Sequence, residues 1–117
     1  MKRSTELYIK DILEYMGRAE DHMSTLSLKG FLHDNKTCDA VIRCIEVIGE
    51  ATKNIPDDIR NKYPSIPWRD MAGMRDKIIH GYFVVDFETV WLVVKEEIPR
   101  LKPMIMKVSE DLEKGSI

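Results

Sequence analysis

The chain has 117 residues, 44% of them hydrophobic and 32% charged, with a formal net charge of -2. This is the make-up of one ordinary globular domain, able to bury about two thirds of its unfolded surface, with too many large apolar residues for a disordered chain and no low-complexity tract. A slightly acidic chain has no global positive field to hold nucleic acid, so any RNA or DNA contact must be local.

The start, Met1-Lys2-Arg3-Ser4-Thr5-Glu6, lacks an apolar signal core. No stretch approaches the ~18 apolar residues of a membrane span, so the cytoplasm is the expected compartment and no membrane partner is expected. Cys38 and Cys44 are too far apart for a Cys-x-x-Cys pair, and no His or Cys cluster has zinc-ligand spacing. Buried, reduced thiols, no metal site and no cofactor follow as expectations.

In chain order, Ile9, Ile12, Met16, Ala19, Met23 and Leu26 recur in steps of three and four. They form one apolar stripe on a long helix. Ser4 or Thr5 can cap it, and Glu6 suits the positive end of its dipole. Residues 27–35 then read as a connector with one helical turn. A second long helix carries the broad stripe Ala40, Val41, Cys44, Ile45, Val47, Ile48, Ala51 and Ile55 and ends at Pro56.

Residues 56–64 suggest a short helical turn between prolines, and Ser65-Ile66-Pro67 an extended piece. After Pro67 a third helix is expected, with Met71, Met74, Ile78 and Tyr82 on its buried face, continuing to Gly81 or slightly beyond. Phe83-Val84-Val85 has strand character but no evident partner and reads as a packed loop, so no sheet is expected. Asp86 can cap a last helix carrying Phe87, Val90, Trp91, Val94 and Ile98, extended by Leu101, Met104, Ile105, Val108 and Leu112. Pro99 and Pro103 should bend or split it. The fold class expected is all-α: an antiparallel up-and-down bundle of four to five helices in a single domain, 1–117, with the methionines as core filler.

The segment Arg75-Asp76-Lys77-Ile78-Ile79-His80-Gly81-Tyr82 concentrates residues with chemical capacity. On a continuous helix Arg75 and Tyr82 share a face, whereas His80 lies about 140° from Arg75. Either the helix ends near His80, or the two groups meet across an interface between two copies. Each residue also has a purely structural reading: Arg75 paired with Glu50 or Asp86, His80 capping carbonyls, Tyr82 in the core. From Arg60 to Tyr82 the cations Arg60, Lys62, Arg69, Arg75 and Lys77 outnumber Asp70 and Asp76. Such a bias serves a solvated helix face as readily as an RNA backbone. Two carboxylates six apart on a helix do not converge, so Asp70 and Asp76 do not read as a metal site.

The spacing Arg, four residues, His, one residue, Tyr resembles the signature of the HEPN superfamily. Residues 66–82, with Pro67-Trp68-Arg69, Gly73-Met74-Arg75 and His80-Gly81-Tyr82, are similar to its HepT branch, as are Ile48-Gly49-Glu50-Ala51 and Val85-Asp86. The resemblance implies a homodimeric helical bundle acting as a metal-independent endoribonuclease toxin, with Arg75 and His80 as the catalytic pair. It further implies neutralisation by a nucleotidyltransferase antitoxin of the MNT type, which transfers adenylyl groups to the motif tyrosine, here Tyr82.

The residue types suit that chemistry independently. RNA cleavage without metal needs a base, an acid and positive charge at phosphorus. Histidine titrates near neutrality, and arginine grips two phosphate oxygens. One His80 per chain serves one proton transfer at a time, so two copies together would supply both. Arg69 and Lys77 are further candidates for holding RNA. The alternative function is a catalytically silent module that docks a minimal nucleotidyltransferase, and a third is a purely structural oligomerisation domain.

Overall fold

The computed structural model describes residues 4–80 and 84–115, with His80 described by its backbone alone. Helix α1 (Thr5–Met23) opens as expected, with the Ser4 hydroxyl accepting from the Leu7 amide. Ile9, Ile12, Met16, Ala19 and Met23 are fully buried. Helix α2 (Leu28–Leu32) is the single turn of the connector, capped by Ser27. Its Phe31 ring packs against Phe87 and Trp91 of a later helix, at centroid distances of 6.4 and 5.8 Å.

Helix α3 (Asn35–Lys53) lies along α1 and is capped by Asp34, whose carboxylate accepts from the Thr37 amide. It ends at Lys53, short of Pro56, and Arg60 donates to the Thr52 carbonyl in its last turn at 2.8 Å and to the Ile55 carbonyl just beyond it at 2.9 Å. Helix α4 (Asp57–Lys62) supplies that arginine. Tyr63 and Trp68 then pin the proline turn. The Trp68 indole donates to the Tyr63 carbonyl, while the Tyr63 hydroxyl donates to Asp111 near the end of the chain at 2.5 Å.

The third helical pass departs from the expectation. It is broken at Gly73 into α5 (Trp68–Ala72) and α6 (Met74–Ile78), and it ends at Ile78 rather than at Gly81. Met71, Met74 and Ile78 are nevertheless buried where the stripe placed them. Beyond Ile78 the backbone becomes extended: β1 (Ile79–His80) pairs antiparallel with β2 (Val84–Val85), with Ile79 opposite Val85 and His80 opposite Val84. The expectation of no sheet was wrong, because β-branched Ile79, upstream of the glycine, supplies the partner that the Phe-Val-Val run lacked. The Asp86 amide closes this ribbon onto the Ile78 carbonyl at 2.8 Å.

Helix α7 (Phe87–Leu92) starts at Asp86, whose carboxylate accepts from the amide and hydroxyl of Thr89. The split expected near Pro99 takes the form of a π-helical turn, Val93–Glu97, leading into α8 (Ile98–Glu113). Proline has no amide to donate and crowds the preceding turn, so the helix widens ahead of Pro99 and the Ile98 amide reaches back five residues to Val93. Pro103 is accommodated inside α8.

The result is an all-α bundle in which α1 is flanked by α3 and α8, and α3 carries α5 and α6 on its other side. The methionines are not uniformly filler: Met16, Met23, Met71 and Met74 are buried, whereas Met106 is exposed. Cys38 and Cys44 are buried and free, and burial pushes both thiols above their ordinary range, which leaves them poor nucleophiles. Among the described residues, no helix is long and apolar enough to cross a membrane.

Candidate functional site

The segment Arg75–His80 is held by two close approaches. The first is at Gly49 on α3, where a Cβ would lie 3.3 Å from the Ala72 carbonyl oxygen and 3.7 Å from that of Met71. The absent side chain lets the end of α5 rest directly on α3, which fixes where α6 begins. The second is the burial of Met74 and Ile78 on α6 beneath α3 and α7. With those residues inside, Arg75 and Lys77 face outward.

Arg75 is 53% exposed, and its Nε lies 3.6 Å from a carboxylate oxygen of Glu46 on α3. One of its terminal nitrogens lies 3.7 Å from Asp76. The expected partners, Glu50 and Asp86, are not the ones it takes. The break at Gly73 displaces α6 so that Arg75 meets Glu46, one turn earlier on α3, while Glu50 pairs with Lys53. Both Arg75 contacts exceed hydrogen-bond length. Loose pairs at the surface are worth about 0–1 kcal/mol, so exchanging them for a bidentate phosphate costs little.

Lys77 is more firmly engaged, donating to both carboxylate oxygens of Glu97 at 3.0 and 3.3 Å. That bridge ties α6 to the π-helical turn. Arg69, on α5, is exposed, and its side chain has no ion pair or hydrogen bond among the described residues. His80 sits on β1, immediately beyond the end of α6, so the geometry of a continuous helix does not govern its relation to Arg75. The His80 side chain and Tyr82 lie outside the described residues.

Two clefts border this region. One, of about 250 Å³, lies between α1 and α3 and includes Asp11, Glu46 and Glu50 against Arg43. The other, of about 380 Å³, is formed by the proline turn and the start of α5, with Arg60 and Arg69 against Asp70. Among the described residues, no group of three or more His, Cys, Asp or Glu side chains could hold a metal ion.

Sequence reasoning missed Glu46 and Glu97. Glu46 was within reach: it lies one turn before Gly49, on the flank of the α3 face that meets α5 and α6. Glu97 depends on the extra residue of the π turn, which periodicity does not reveal.

A family model described as "Ribonuclease HepT-like" matches residues 12–108. The chain belongs to this family. A Thermococcus cleftensis protein named as a probable ribonuclease HepT is 50% identical over 108 residues, covering 92% of this chain and 98% of its own. Two Methanocaldococcus jannaschii proteins with RNase in their names are 48% and 47% identical over 112 residues. Each alignment covers 96% of this chain, and 97% and 93% of the respective relative. The family match spans every candidate residue, Arg69, Arg75, Lys77, His80 and Tyr82, and also Gly49 and Glu46, which position the arginine. No solved structure matches the chain.

Proposed function

We propose that this chain is a metal-independent endoribonuclease, the toxin of a toxin–antitoxin pair, with Arg75 and His80 as its catalytic residues. The observation that carries this reading is membership of the ribonuclease HepT-like family across residues 12–108. Support comes from Arg75, exposed and only loosely paired in the first turn of α6, four residues ahead of β1.

In the reaction, a base removes the proton of an RNA 2′-hydroxyl, and the oxygen attacks the adjacent phosphorus. The bond to the 5′-oxygen breaks, and an acid protonates the leaving group. Arg75 neutralises the charge that builds on the non-bridging oxygens. His80 is one proton carrier, and His80 of the partner subunit is the other in a homodimer that joins two copies of the site. The products are a 2′,3′-cyclic phosphate and a 5′-hydroxyl. The chain is cytoplasmic, and its RNA target is held further by Arg69 and by Lys77 once Glu97 releases it.

Control by a nucleotidyltransferase antitoxin acts at Tyr82. Its hydroxyl attacks the α-phosphorus of ATP, pyrophosphate leaves, and the adenylyl group puts bulk and negative charge beside the groups that bind phosphate. Equal modification of a Tyr82→Phe protein would exclude that site.

Incubation of unmodified protein with RNA in EDTA tests the reading. Cutting that leaves cyclic phosphate ends is expected. RNA left intact both with and without EDTA would favour the silent module that docks a nucleotidyltransferase, and cutting seen only without EDTA would overturn the metal-free chemistry.

A further inference from the structure

We propose that the cleft between the proline turn and α5 is a subsite for one nucleotide of single-stranded RNA, with Arg69 taking the phosphate and Asn61 contacting the base; this rests on the ribonuclease reading.

Charge decides between the two clefts that border α5 and α6. Among the described residues, the α1–α3 groove is lined by three carboxylates, Asp11, Glu46 and Glu50, and one cation, Arg43, with Arg75 beside Glu46 and Lys53 beside Glu50. A polyanion passing Arg75 finds no net positive lining on that side. Among the described residues, the other cleft is lined by two cations, Arg60 and Arg69, and one carboxylate, Asp70. RNA leaving Arg75 is therefore drawn across α5 toward Arg69.

The walls of this cleft are built before any ligand arrives. Pro64 and Pro67 fix the backbone of the turn, the Trp68 indole is tied to the Tyr63 carbonyl, and the Arg60 guanidinium is tied to the carbonyls of Thr52 in α3 and Ile55 just beyond it. Against this rigid frame, the Arg69 and Asn61 side chains are exposed and make no hydrogen bond among the described residues. A fixed apolar floor with a free guanidinium and a free amide suits a nucleotide: phosphate on the fork, base over the prolines, amide on its polar edge. Arg60 contributes chiefly field, since its Nε and one terminal nitrogen are already held by the Ile55 and Thr52 carbonyls.

The test is binding of a fluorescent, fully 2′-O-methylated RNA oligonucleotide, which lacks the attacking hydroxyl and stays intact, to the full chain at several salt concentrations. Arg69→Ala is expected to weaken binding about tenfold. The same change should reduce the log–log salt dependence by about 0.7, the share of one single-strand phosphate contact. Asn61→Ala should alter preference among homopolymers without changing the salt slope. Arg100→Ala, an exposed cation on α8, serves as the control and should leave both unchanged.

An Arg69→Ala protein of unchanged thermal stability that binds with parental affinity and slope would overturn the subsite, as would a parent that binds no oligonucleotide. A parent that cuts RNA but binds independently of Arg69 sinks the subsite alone. One that binds through Arg69 but cuts nothing sinks the ribonuclease reading and leaves the subsite standing.

Discussion

Replacing Gly49 by valine tests whether the α3–α5 approach positions the site. A Cβ on this residue would sit 3.3 Å from the Ala72 carbonyl oxygen, tighter than ordinary van der Waals contact. Alanine gains about 1 kcal/mol of helix propensity over glycine, which the tight contact offsets, so Gly49→Ala should be nearly neutral. Valine gains only about 0.4 kcal/mol and adds two methyl groups in a seam that has no room for them. Overpacking of this kind costs about 1–3 kcal/mol, leaving a net loss of about 1–2 kcal/mol.

For a chain of this size that loss lowers Tm by roughly 4–8 °C in a thermal melt followed by circular dichroism. RNA cleavage measured well below the melt should fall further than the small unfolded fraction explains, because displacing α5 moves Arg75. A Gly49→Val protein with raised Tm and parental cleavage would refute the argument.

Ile78→Ala, which empties a fully buried position at the end of α6, should cost about 2–5 kcal/mol, read from urea denaturation. Tyr63→Phe removes the hydroxyl that donates to Asp111, and its effect should depend on pH at both ends. The Tyr63 hydroxyl is pushed from its ordinary 10.0 up to about 12 by burial and by Asp111, so its contribution is full below pH 10 and lost as pH rises through 12. The Asp111 carboxyl is held below 3.8 by Tyr63 and Lys107, so that part is present above pH 3.8 and lost as pH falls through its lowered value. Parent and variant melting curves should therefore differ most near neutrality and converge at both extremes; a constant gap would contradict this. Finally, with both thiols buried and pushed up, Cys38 and Cys44 should react with a thiol reagent only on denaturation, whereas rapid labelling of native protein would contradict their burial.

Much of the fold was legible because long apolar stripes have one physical solution. Every stripe residue from Ile9 to Met23 is buried, and Ser4, Asp34 and Asp86 cap helices through the amides three residues on. The third pass was harder. Its apolar spacing is helical throughout, so periodicity does not register the kink at Gly73 or the change to extended backbone after Ile78. That change comes from the pairing of Ile79 and His80 with Val84 and Val85, a contact that no local window contains. Arg75 stands out as a candidate from its spacing to His80 and Tyr82. Its carboxylate partner does not, because a kink of one residue shifts which turn of α3 it meets.

The central claim is that Arg75 and His80 perform metal-free cleavage, and it is tested most directly by single-turnover cleavage of a defined RNA in EDTA. The parent, Arg75→Ala, His80→Ala and a control, Lys29→Ala on α2, are compared after each is shown to melt like the parent. Parental and Lys29→Ala rates that match, with both site variants slowed at least about a hundredfold, are the predicted result. Cleavage by folded Arg75→Ala or His80→Ala protein at the parental rate would contradict the account.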